Sequence, residues 1–572
     1  MRLVAILCMS VMLSAQTTAP IVRVFYNARI FTADPEHPAA DAIAIRGDRI
    51  LATGTRAAVF TAAGPAAEKH DLRGRTLLPG LIDSHVHPVL GGFILASPDA
   101  DGWGREVSMP ELVRIATDAV RSGRGLRGDI LMINRVPVTM WSNTNELNAR
   151  FSAGEFERRP VFLWGADGHT GWANRALRLR AGLTKDFLGS LSDEARAKFG
   201  VAPDSEPNGF AVDDGLGKIV AALPPQTREE RLAWARSAVR YLNSFGITAW
   251  LDAQADVPTL NNYKDLFERG ELTAHVAAFP VVSAAQGGPA DPLARVLALQ
   301  KQFADVKSVT IPGIKVYADG VAEYPSQTAA MSVPYRNSGR LGDLSIDPAR
   351  FAQVVIAADK QGLIVHIHAV GDKAVTASLD GIEAARKTNG DSGLPHTIAH
   401  LQFVAPSDVP RFKQVGVVAD FQLLWASANR ESIELVKPYV DLAIYDRPRS
   451  LLIAGATIAG GSDWYVSSPN PFLAIYQAVT RKGPEGVLGP HERMPRLPML
   501  YAYTRNAALA MHQLSEIGSI APGKQADFVV VDRDVLRVSP AQLRNTRVLW
   551  TVFGGKTVFG ADPSSSATAE YK

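Results

Sequence analysis

The stretch Pro79-Gly80-Leu81-Ile82-Asp83-Ser84-His85-Val86-His87-Pro88 decides the reading of this chain of 572 residues. It is a short apolar segment that ends in two histidines two positions apart. On a β-strand successive side chains alternate, so Asp83, His85 and His87 share one face while Ile82 and Val86 take the other. Two neutral imidazoles aimed at one point make half of a divalent-metal site. Taken alone, such a pair more often packs or faces solvent, and the rest of the chain has to decide.

Working outward, short apolar runs alternate with helical patterns. With 81–87 the candidate strands are 161–165, 248–253, 313–318, 363–369, 397–401, 417–421 and 457–463. Helical patterns over 228–242, 348–361, 373–387 and 407–414 separate most of them. Such alternation predicts an α/β fold with a parallel sheet, and eight strands predict a closed (β/α)8 barrel of the TIM type over 79–511. The long stretches after the first and second strands predict insertions over the barrel mouth.

Both ends of the chain read differently. Residues 22–78 alternate apolar and polar positions around turns such as Gly47-Asp48, and residues 526–532 and 548–556 repeat that style. Neither end is long enough for its own core, so 20–78 and 512–560 are expected to form one small β-sandwich. The Ser- and Ala-rich tail over 561–572 is expected to be disordered.

Hydrophobic residues make up 47% and charged residues 20%, with 60 basic against 57 acidic side chains. This balance offers no electrostatic case for nucleic acid. Met1-Arg2, the apolar run Leu3 to Leu13 and the small residues after it read as a signal peptide over 1–19, cleaved near Ala15. The expected location is therefore the periplasm or the exterior, with no membrane anchor. Cys8 is the only cysteine and lies in that segment, so the mature chain would have neither a disulfide nor a thiol nucleophile.

In a barrel of this kind, chemistry sits at the C-terminal ends of the strands. Lys315 shares a face with Tyr317 and Asp319, and an inward lysine needs a partner. His366 and His368 share a face on strand five, strand six ends at His400, and strand eight ends in Gly460-Gly461-Ser462-Asp463. Singly, each has an ordinary explanation: His366 or His396 as a hydrogen-bonded histidine, Asp463 as a helix cap, Lys315 as half of an ion pair. Jointly, an ordered H-x-H, Lys, His, His, Asp set at the ends of strands one, four, five, six and eight is far more specific.

This set resembles the amidohydrolase superfamily of metal-dependent hydrolases over nearly the whole mature chain. The run Asp167-Gly168-His169-Thr170-Gly171-Trp172-Ala173-Asn174, with Ala318-Asp319-Gly320, His368-Ala369-Val370-Gly371-Asp372 and Gly461-Ser462-Asp463-Trp464, is similar to the branch that contains N-substituted formamide deformylase. Val321-Ala322-Glu323 departs from that branch, where a small hydroxyl residue is usual. The resemblance implies one or two divalent ions, zinc foremost. His85, His87 and Asp463 would hold the first, His368 and His400 the second, and Lys315, carbamylated by carbon dioxide, would bridge both. It further implies that activated water cleaves a non-peptide carbon–nitrogen bond, with Asp463 as the proton carrier. His169, Trp172, Asn174, Asp319 and His366 are the candidates for substrate contact. The expected partner is a small-molecule amide, and a homo-oligomer stays open. A metal-dependent esterase, lactonase or phosphotriesterase, or a non-catalytic relative, remains as the alternative.

Trp164, Trp250 and Trp464 fall at or just after strands two, three and eight, and Trp103, Trp172 and Trp425 in segments after strands one, two and seven. They predict an aromatic wall to the substrate pocket, the alternative being rings that fill space between barrel and insertions. The export reading has a direct test. Protein recovered from its native host should begin near residue 16 by N-terminal sequencing, and a start at Met1 in a cytoplasmic fraction would reject it.

Overall fold

The computed structural model describes residues 21–100, 107–282 and 290–565. The expected signal segment, Trp103 and residues 566–572 lie outside them. Eight parallel strands follow one another in the chain: β1 (Leu81–Val86), β2 (Ile247–Asp252), β3 (His275–Ala278), β4 (Gly313–Tyr317), β5 (Ile364–Ala369), β6 (Thr397–His400), β7 (Val418–Phe421) and β8 (Thr457–Gly460). They fall into two sheets. One has the order β1-β2-β3 with Val309–Thr310 at its edge, the other β4-β5-β6-β7-β8. Single bridges, not ladders, join the sheets. Val281 pairs with Lys315 where β3 runs on towards β4, and Trp464 pairs with Val86 where β8 runs on towards β1. The fold is therefore α/β with mixed sheets.

Two strand assignments change. Residues 161–165 do form a strand, but in a separate six-stranded sheet built between β1 and β2, where Val161–Gly165 lies between Thr170–Ala173 and Ile130–Val136. A buried apolar run looks the same in either sheet, so periodicity alone could not place it. The true third strand, His275-Val276-Ala277-Ala278, is four residues long and alanine-rich, which leaves almost no β signal. The two expected insertions are consequently one, between β1 and β2.

The four expected helices form as Arg228–Ser244, Pro348–Lys360, Asp372–Asn389 and Val409–Gln414, and helices not read from the sequence join them around the first strands. α1 (Pro88–Ala96) follows β1 directly. α2 (Arg228–Ser244) starts at Thr227 in a capping box with Glu230, which satisfies two backbone donors at its start. α3 (Val257–Glu268) is capped by Asp256, and α4 (Ala290–Gln302) precedes β4.

The two chain ends share one eight-stranded sheet. Its order is Lys556–Gly560, Val548–Phe553, Phe528–Val531, Thr76–Pro79, Val22–Phe31, Ala39–Arg46 and Arg49–Gly54, with Glu68–Asp71 pairing to Val22–Phe31. The Phe25 ring lies 5.4 Å from both Phe528 and Trp550, so residues from the two ends meet in one core. Of the residues expected to be disordered, 561–565 are described, and Asp562 sits 2.8 Å from His70 Nδ1. Gly80 carries the chain from this sheet into β1, and a Cβ there would lie 2.0 Å from Thr248 Oγ1.

The strand Phe528–Val531 is fully buried on both faces. Phe528 and Val530 join the core of the end sheet, while Val529 and Val531 join the main core around the parallel strands. Each such side chain contributes roughly 1.5–3 kcal/mol of burial. Ending the chain at Glu516 should therefore expose apolar surface on both sides and give insoluble protein. A soluble truncate with a cooperative melt would show that the parallel strands fold without the end sheet.

Candidate metal centre

The centre forms at the bridge between β8 and β1. The Ser462 N–H and Oγ both donate to the Asp83 carboxylate, at 2.9 and 2.5 Å, and the Asp463 N–H donates to the His85 carbonyl at 2.8 Å. Gly461 lets the two chains approach, since a Cβ there would sit 2.6 Å from His85 Cβ. Asp463 and His400 adopt φ of 51° and 78°. Such left-handed conformations are costly for residues with a side chain and concentrate at functional sites.

The Asp463 carboxylate lies 3.1 Å from His87 Nε2, 3.8 Å from His85 Nε2 and 3.9 Å from His400 Nδ1. The His400 ring is 4.7 Å from that of His85 and 4.3 Å from that of His368. Lys315 is fully buried, with Nζ 4.8 Å from the Tyr317 ring centroid. Five strand ends thus bring His85, His87, Lys315, His368, His400 and Asp463 to one wall of a cavity of about 520 Å³.

Burial decides the charge states. It drives His85 and His400 well below the usual imidazole range, and His368 down to about 3, with the nearby Lys315 adding to the effect. Burial also pulls the Lys315 amine down to about 7, against the opposing pull of Asp463 and Asp420. Burial raises the Asp463 carboxyl, but its hydrogen bond to His87 and the His87 and Lys315 charges outweigh that and hold it below the ordinary value. Neutral imidazoles at His85, His368 and His400 beside an ionised carboxylate are donors a divalent cation needs.

The donor set fits such an ion. His85, His400 and Asp463 each offer a ligand atom within 4.8 Å of the others. Both His400 nitrogens and Lys315 Nζ are buried and lack a hydrogen-bond partner among the described residues, which costs free energy unless something binds there. His85, His366 and Asp420 form a deeper group of the same kind.

The other residues singled out from the sequence divide. His169 lines the cavity, 2.8 Å from Asp213 through Nδ1. Burial lowers its pKa, but the bond and charge of Asp213 raise it to about 9. Asp319 also lines the cavity, yet its carboxylate is occupied by the N–H groups of Ala330, Val370 and Gly371, so it holds loops in place. His366 is not at the cavity. It is fully buried behind His85, with Nε2 at 2.8 Å from His85 Nδ1, and orients that ring. Trp172 and Asn174 are not brought to the cavity either. Trp172 is fully buried and donates to the Asn208 carbonyl. Asn174 caps the helix Arg175–Arg180, and its side chain bonds Val161, Leu177, Phe151, Phe156 and Arg159. Buried polar groups need such partners, and here the need is structural.

The tryptophan wall is mostly absent among the described residues. Trp250 is fully buried and packs on Tyr263, while Trp464 packs on Tyr241. Trp164 is partly buried near Tyr465. Trp425 alone of the set lines a narrow cleft beside the site, stacked on His400 at 5.7 Å. The cavity instead takes its walls from Tyr317, Tyr465, Lys198, Gln254 and Asp213. Tyr317 was legible from its alternation with Lys315. Asp213 and Lys198 carried no local signal, because their partners lie far away in the chain.

The centre and fold together define a metal-dependent hydrolase of the amidohydrolase type. The amidohydrolase family model matches residues 68–559, and the chain belongs to that family. It is 30% identical over 550 residues to Protein LONG AFTER FAR-RED 3 of Arabidopsis thaliana, covering 93% of this chain and 91% of that one. It is 26% identical over 563 residues to the N-substituted formamide deformylase of Arthrobacter pascens, covering 92% and 96%. Among solved structures, an uncharacterized metal-dependent hydrolase from Pyrococcus horikoshii OT3 superposes with a TM-score of 0.68 at 22% identity, over 91% of this chain and 99% of that one; this likeness speaks for the fold.

The bond between His366 and His85 yields a prediction. A partner on the far nitrogen fixes the tautomer and orientation of a ligating imidazole, and its loss typically weakens metal binding by about tenfold to a hundredfold. His366→Ala should show that loss in a chelator competition assay while keeping a cooperative melt. Unchanged metal affinity would remove His366 from the centre.

Proposed function

We propose that this protein hydrolyses a carbon–nitrogen bond other than a peptide bond, of the amide or N-formyl type, in a small molecule. The convergence of five histidine, aspartate and lysine strand ends on one polar cavity carries this reading. The likeness to N-substituted formamide deformylase supports the bond type. In this reading the two parallel sheets and their bridges make up a closed (β/α)8 barrel, the end sheet curls into a small sandwich, and the mature protein is exported.

His85, His87, His368, His400, Asp463 and Lys315 would hold one or two divalent ions, zinc foremost. A cation bound there polarises a carbonyl oxygen and lowers the pKa of water. The residues supply the rest. Asp463, ionised despite its burial, accepts the proton of the attacking water and delivers it to the leaving nitrogen. His169, held through Nδ1 by Asp213, turns Nε2–H to the substrate oxygen and steadies the charge that develops there. Lys315, with its amine pulled down to about 7, has a neutral fraction at ordinary pH. Its lone pair can add to carbon dioxide with release of one proton, turning a cation into an anionic oxygen donor.

The test is substrate profiling of zinc-loaded and metal-stripped protein. Formamides and small amides should be hydrolysed by the loaded form alone, and lactones, esters and phosphotriesters more slowly. Asp463→Asn should lose at least about a hundredfold in kcat. Lys315→Ala should also lose activity, partly restored by acetate. Faster turnover of lactones or phosphotriesters than of any amide, or full activity without metal, would overturn the proposal.

A further inference from the structure

Beside the metal cavity lies a second chamber of about 340 Å³. The two share His87, Gln254 and Val281, so a molecule held at the centre can extend into the chamber. One side is apolar. Val89, Leu90 and Phe93 of α1 face Trp234 of α2, with the Phe93 and Trp234 rings edge to face at 5.0 Å. Because α1 follows β1 directly, this surface is set against His87 by the same chain segment.

The other side holds two guanidinium groups. Arg231 stands one turn before Trp234 on α2, and Arg295 reaches in from α4. Residues three apart on a helix share a face, so Arg231 and Trp234 line the chamber together. Arg231 Nε is buried and has no hydrogen-bond partner among the described residues. Neither arginine makes an ion pair among them. Two carboxylates also line the chamber, but both are engaged on their own segments. Asp252 accepts from the Tyr263 hydroxyl at 2.6 Å and the Gln254 N–H at 3.1 Å, and Asp256 accepts from the Thr259 N–H at 2.8 Å. A buried guanidinium N–H without an acceptor is costly, and its natural complement is a planar carboxylate.

We propose that this chamber is a substrate subsite for a carboxylate carried on an apolar or aromatic arm, so that the natural substrate is an amide of an acid-bearing molecule. Trp234 and Phe93 take the arm, Arg231 and Arg295 take the carboxylate, and the scissile bond lies at the centre past His87. This proposal rests on the hydrolase reading above for its substrate and adds an anionic end to it.

The experiment has two arms. In the first, zinc-loaded protein is given 4-(formamidomethyl)benzoate and its uncharged parent N-benzylformamide. The kcat/KM ratio should favour the carboxylate by about tenfold or more, and Arg231→Met with Arg295→Met should bring the ratio close to one. In the second arm, binding of 3-phenylpropionate and of 3-phenylpropanol is measured by calorimetry on loaded and metal-stripped protein. The acid should bind more tightly in both forms, and the double variant should lose that difference. Equal use and equal binding of charged and uncharged probes in the wild type overturn the subsite. So does a preference that survives in the double variant but vanishes without metal, since the carboxylate then sits on the cation. If neither formamide is hydrolysed while the arginine-dependent binding holds, the subsite stands and the bond-type reading fails.

Discussion

Two hydrogen bonds from Ser462 to the buried Asp83 carboxylate hold the end of β8 against the end of β1. Everything at the centre depends on that clamp. Burial pushes the Asp83 carboxyl up to about 7, and the Ser462 side-chain and backbone bonds and the His85 N–H oppose the push. Those donors oppose the neutralisation of Asp83 and anchor the Gly461-Ser462-Asp463 segment, in which Asp463 holds a left-handed backbone. The clamp therefore turns backbone strain at Asp463 into a fixed distance from His87.

Behind that clamp the centre is organised by desolvation. Four histidines and a lysine crowd into a volume where none of them can easily carry a proton, because a buried charge without a partner is expensive. The result is a cluster of neutral nitrogens around one ionised carboxylate, which is a receptor for a cation. The same low-dielectric setting explains His366. It has no route to solvent, so its value lies in the orientation it gives His85. His169 is the exception, since, against the downward pull of burial, Asp213 raises its pKa and keeps it charged, with its ring 5.6 Å from that of His368.

The end sheet and the insertion between β1 and β2 act on the centre from outside. The end sheet buries Val529 and Val531 against the parallel strands and delivers the chain through Gly80 into β1, so the strand that carries His85 and His87 starts from a fixed point. The insertion supplies His169 and Asp213 to the metal cavity, and α2 supplies Arg231 and Trp234 to the neighbouring chamber. The parallel strands thus carry the cluster of histidines, lysine and aspartate, while the segments between β1 and β2 add much of the surrounding lining.

By itself the sequence determined which strand-end residues share a face, because alternation along a strand is a local property: Asp83, His85 and His87 had to lie together, as did Lys315 with Tyr317 and His366 with His368. It also placed the helices Arg228–Ser244, Pro348–Lys360, Asp372–Asn389 and Val409–Gln414 to within about two residues at each end. It could not tell which histidine of the pair 366 and 368 faces the cavity, since two residues on one face differ only in depth. Nor could it tell that Asn174 and Trp172 serve the insertion's own core, that residues 161–165 belong to another sheet, or that His275–Ala278 is a strand at all. Those were decided by the tertiary structure, because burial, sheet partnership, the pairing of His169 with Asp213 and the opening of a chamber beside His87 depend on contacts between segments that the chain order does not bring together.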